Sequence, residues 1–178
     1  GAFIAAAVML WLGWMLLPTK IGTYFGPEVF APIHEQFHLW IWLYRVHIFG
    51  MVMTVIALTA LAATLSDSAA RVMIWPGALV AAAGMLVGAL GSAFYYHHGA
   101  WGSIVLAGKS ADEVKAFVDA LLVDTEYVTC LVRFGRVFTG LGLIVMAWGL
   151  LVGQSLPRVL PIAAIVIGLA ALALTMGL

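Results

Sequence analysis

Two short stretches concentrate the side chains able to bind a metal or move a proton. The first, residues 34–47, reads HEQFHLWIWLYRVH and holds His34, Glu35, His38, Arg45 and His47; the second is His97-His98, preceded by Tyr95 and Tyr96. His34 and His38 stand four apart, so on a helix their rings share one face. That spacing holds zinc, with Glu35 placed as a base beside a metal-bound water. A zinc or copper site of this kind needs a third protein ligand, for which His97, His98 and Glu126 are the candidates. The plainer reading is a pair of interfacial histidines hydrogen-bonded to a loop.

His47 suggests different chemistry. It lies nine residues beyond His38, about half a turn around a straight helix, and so faces other neighbours. An imidazole at the edge of an apolar span needs a partner, and an axial bond to the iron of haem b supplies one. His97 or His98 would be the opposite ligand, and Gly50 leaves room for a macrocycle edge. Arg45, Arg133 and Arg136 are forked donors suited to the propionates. The alternative for His47 is a hydrogen bond to a backbone carbonyl or to Tyr96. Arg133 and Arg136 share a helical face, which also suits a quinone head group or pairing with Glu35, Asp124 or lipid phosphates.

The elements that must position these residues are membrane helices. Hydrophobic residues make up 65% of the 178 positions and charged residues 9%, far from the rough half and quarter of soluble domains. Eight basic residues balance eight acidic ones, which argues against a nucleic-acid partner. The single cysteine, Cys130, excludes an internal disulfide and a CxxC redox motif. There is no GxGxxG, Walker A, GxSxG or kinase signature. No lysine lies deep in an apolar span for a Schiff base, and five histidines are too few for a histidine-rich di-iron enzyme.

The hydropathy pattern predicts an all-α fold in one domain, residues 1–178: an integral membrane bundle of five transmembrane helices with one short surface helix. Gly1–Leu17 is the first, ended by Pro18 and read as a retained span because it lacks a basic leader. Residues 19–32, TKIGTYFGPEVFAP, read as an ordered loop at headgroup level. One long helix is expected from Pro32 to Leu65, its first turns projecting beyond the bilayer, and another over Val72–Tyr96. Ser110 and Glu113 have capping-box spacing and open the surface helix. The last two spans are Thr125–Val152 and Val159 to the C-terminus. Gly84, Gly88 and Gly91 form a stripe suited to close helix contact.

Antiparallel spans gather all five histidines and seven of the eight acids on one membrane face. The other face carries two short turns with Asp67, Arg71 and Arg158, so the positive-inside bias places the histidine face outside the cytoplasm. Three functions fit these residues. The leading one is a small membrane subunit of a redox complex holding haem b or another histidine-ligated metal near one membrane face. The others are a zinc or copper metalloenzyme and a cofactor-free accessory subunit. All three require lipid contact, and the first and third require other membrane subunits.

Overall fold

The computed structural model describes residues 1–21, 24–65, 70–154 and 156–177. Regular structure in them is helical: α1 Ala2–Met15, a 3-10 turn Pro27–Val29, α2 Phe30–Glu35, α3 Phe37–Thr64, α4 Arg71–Val105, α5 Ala111–Val152 and α6 Val159–Met176. Four of these helices, α3 to α6, are long and apolar enough to cross a membrane, the mark of a multi-pass membrane protein. The fifth expected span is shorter. Helix α1 has 14 residues, about 21 Å at 1.5 Å per residue against a hydrocarbon thickness of about 30 Å. Asp67 lies outside the described residues.

Three expected boundaries change. The helix foreseen from Pro32 is broken at Gln36, whose φ of −118° and ψ of 39° interrupt the helical path between α2 and α3. Helix α2 lies along α4, whereas α3 turns to run between α1 and α4. Gln36 absorbs that change of direction. The expected surface helix and fourth span are instead one continuous helix, α5, of 42 residues. Together with α4, whose 35 residues run nine past Tyr96, it rises well beyond the bilayer.

The projecting ends hold each other up by packing. Of the loop expected over residues 19–32, Phe25, Val29 and Phe30 are buried, together with Ile33, Trp40, Leu43, Tyr44 and Leu106, in one apolar cluster. The Phe25 and Phe30 rings stack at 5.7 Å, and Phe117 of α5 meets Phe30 edge-on at 5.7 Å. Such pairs contribute beyond their buried area.

Within the membrane the helices form a row, α1 on α3, α3 on α4, α4 on α5 and α5 on α6. Gly77, Gly84 and Gly91 recur every seventh residue of α4, and Gly135, Gly142 and Gly149 do so in α5. A seven-residue repeat returns to nearly the same face every two turns. A Cβ on Gly142 would collide with the backbone nitrogen of Ala81 and come within 2.6 Å of the Gly77 carbonyl oxygen. The missing side chains are what let the two backbones touch. Threonine hydroxyls in these helices bond to their own backbone, as Thr54 to the Gly50 carbonyl at 2.8 Å and Thr139 to that of Gly135 at 2.9 Å. These hydroxyls are thereby satisfied within their own helices.

The capping box is present. Ser110 Oγ accepts from the Glu113 N–H at 3.3 Å, and the Glu113 carboxylate accepts from the Ser110 N–H at 3.0 Å. The Ser110 N–H and Lys109 together hold the Glu113 carboxyl down from 4.5 to about 2. Because this value is depressed, the cap is fully present above pH 4.5 and is lost as pH falls toward 2. Amide-exchange protection in the first turn of α5 is expected to drop across that window, and Glu113→Ala to abolish the step.

Candidate functional site

His47 donates its Nδ1–H to the Leu10 carbonyl of α1 at 3.2 Å. A carbonyl oxygen can only accept, so Nδ1 carries the proton of this bond, which in a neutral ring leaves the lone pair on Nε2. The Trp14 ring lies 5.9 Å away at an interplanar angle of 38°. Close approach of α1 makes this possible: a Cβ on Gly13 would lie 2.7 Å from both the Cβ and the backbone nitrogen of His47. Gly50, one turn on, meets the Leu10 nitrogen in the same way. Gly13→Ala is therefore expected to push α1 off α3 at a cost of about 1–3 kcal/mol. It should also break the Leu10 bond, read as a change in the His47 imidazole nitrogen shifts.

His47 lines a cavity of about 850 Å³, within the usual range for small-molecule sites of roughly 300–1,000 Å³. Tyr44 and Met51 of α3 flank it. The floor is α4, with Gly84, Met85, Gly88, Ser92 and Tyr95, and the far wall is α5, with Thr129, Val132, Arg133, Arg136 and Thr139. Leu10 and Trp14 of α1 border one side and Ala171 to Gly177 of α6 the other. Tyr95 Oη and Thr129 Oγ1 lie 3.0 Å apart and tie floor to wall.

The remaining candidates fall elsewhere. His98 donates Nδ1–H to the Phe94 carbonyl at 3.0 Å, and His97 packs parallel to Trp101 with ring centroids 6.5 Å apart. Both sit on the projecting part of α4, and neither borders the cavity of His47. The Arg45 guanidinium lies over Trp42 at 5.6 Å and Tyr96 at 6.0 Å, also outside it. His34 and Glu35 end α2 while His38 begins α3 beyond the break at Gln36, and all three are exposed. Among the described residues no three His, Cys, Asp or Glu side chains come together in a metal-binding group. Of the arginines and histidines singled out in the sequence, the fold brings together His47, Arg133 and Arg136.

The backbone carbonyl expected as the alternative partner of His47 is present and belongs to Leu10; sequence reasoning did not say which carbonyl it would be, and it missed the Ser92, Tyr95 and Thr129 hydroxyls and the C-terminal turn of α6. None carries a local pattern that marks it, because a backbone carbonyl or a lone hydroxyl in an apolar helix looks like any other. No known family, no curated protein and no solved structure matches this chain.

Proposed function

We propose that this chain is a small integral membrane subunit of an electron-transfer complex, with His47 Nε2 as the protein's bond to the iron of a haem b. One observation carries the reading: His47 is fixed as the Nδ1–H tautomer by a backbone carbonyl while its ring borders a cavity of ligand size. That second contact is the one metal-bound histidines characteristically make, because it orients the ring and raises its basicity. Arg133 and Arg136 would hold the propionates. Bound there, the group supplies a reversible one-electron couple.

The ligand set differs from the histidine pair anticipated from sequence, since His97 and His98 stand outside the cavity and leave one histidine facing it. In this reading α1 serves as a fifth membrane helix, and the histidine face lies outside the cytoplasm. Lipid and neighbouring subunits cover the exposed apolar flanks of α1, α5 and α6. The dithionite-reduced absorption spectrum of the purified chain, with iron content, tests the proposal. Soret and α bands with stoichiometric iron are expected; their joint absence overturns it.

A further inference from the structure

The cavity walls carry two positive charges and no negative one. Arg133 and Arg136 line the cavity from α5, and none of the side chains around it is Asp or Glu. Among the described residues the ion pairs are Lys109–Glu113 and Lys115–Asp119, both in the projecting turns of α5. Neither arginine therefore has an acid partner. Arginine at membrane depth is costly and is ordinarily paired. Both arginines are exposed at the open side of this cavity, and the acids nearest in sequence, Asp124 and Glu126, are exposed earlier on the same helix and do not line it. A ligand is left to bring the counter-charge.

The surroundings also describe the rest of that ligand. Leu10 and Trp14 of α1 and Leu174 of α6 border the same space. These helices stand at opposite ends of the row, α1 against α3 and α6 against α5. Both turn large apolar side chains outward, including Ile4, Trp11, Val166 and Leu174. The open side of the cavity thus lies between two helices whose outer faces suit lipid.

We infer that Arg133 and Arg136 form a site for an oxyanion head group carried on an apolar body, admitted sideways from the bilayer between α1 and α6. Two guanidinium forks three residues apart on one helix can each give parallel N–H bonds to a carboxylate or phosphate. Two molecules bring that chemistry, haem through its propionates and an acidic phospholipid through its phosphate. The site rests on the arginines and the absence of cavity acids, so it stands or falls apart from iron binding.

The test uses the purified chain in non-ionic detergent and two probes. Retention of dioleoyl-phosphatidylglycerol against dioleoyl-phosphatidylcholine is read by native mass spectrometry, and haemin uptake by absorption. Wild type is expected to retain the acidic lipid at least about tenfold better. The Arg133→Gln/Arg136→Gln variant should lose that preference, while Arg45→Gln, whose guanidinium lies outside the cavity, keeps it. Arginine-dependent retention of the acidic lipid without haemin uptake supports the site with phospholipid as its source and removes only the haem reading. Haemin uptake that depends on the arginines, without lipid preference, supports the site with propionates as its source. Binding of both probes unaffected by the arginines, or of neither, overturns it. If the glutamine variant does not elute as a monodisperse species, Arg133→Lys/Arg136→Lys decides: weakened discrimination supports forked recognition and unchanged discrimination overturns it.

Discussion

On the haem ligation proposed for this chain, His47→Ala is expected to lower haem affinity by more than about 100-fold, because loss of an outer-shell partner alone typically costs 10–100-fold. The variant removes the one cavity imidazole and leaves Leu10, Trp14 and the arginines in place. Exogenous imidazole should restore the reduced spectrum by filling the vacated position. His97→Ala and His98→Ala are expected to change the spectrum little, since neither ring borders the cavity of His47 and each packs on aromatic neighbours of α4. That contrast separates single-histidine ligation from a bis-histidine arrangement: equal losses in all three variants would refute the placement of the iron at His47.

Gly142→Val is expected to destabilise the bundle by about 3 kcal/mol, the upper end of overpacking costs. A Cβ there meets backbone on the facing helix, including Ala81 Cα at 2.7 Å. Backbone cannot swing aside as a flexible side chain can, so α4 and α5 must separate. Their seam also carries Ile74, Ala78, Ala81, Met146 and Leu150, which would lose contact together. Gly88→Ala is the matched control: its added carbon meets only Met51 Sδ at 3.6 Å and the Met51 methyl at 3.7 Å, ordinary contact distances. It should shift stability by less than about 0.5 kcal/mol. Unfolding of both variants in mixed micelles distinguishes a glycine seam from mere helix composition.

The seam shows a signal that was legible but easily passed over. Gly84, Gly88 and Gly91 are a visible stripe, yet a Cβ on Gly88 would point to Met51 of α3; the set whose missing side chains admit the facing helix is Gly77, Gly84 and Gly91 against Gly135, Gly142 and Gly149. Recognising it requires reading two helices together at a seven-residue period, because no single helix shows which of its small residues faces a partner.

Composition and hydropathy by themselves determined that the chain is helical and suited to the membrane. In hydrocarbon a backbone must satisfy its own hydrogen bonds, and a long apolar run has few other solutions. Local chemistry likewise determined the Ser110–Glu113 cap, which needs only residues three apart. Tertiary structure decided the rest. It set how far α4 and α5 run beyond the bilayer and where the Pro32 helix breaks, since contacts between distant segments fix both. It also decided that His47 meets the Leu10 carbonyl and shares a cavity with Arg133 and Arg136, while His97 and His98 do not. Sequence spacing places a side chain on a face of its own helix; only the packing of that helix against its neighbours chooses what the face meets.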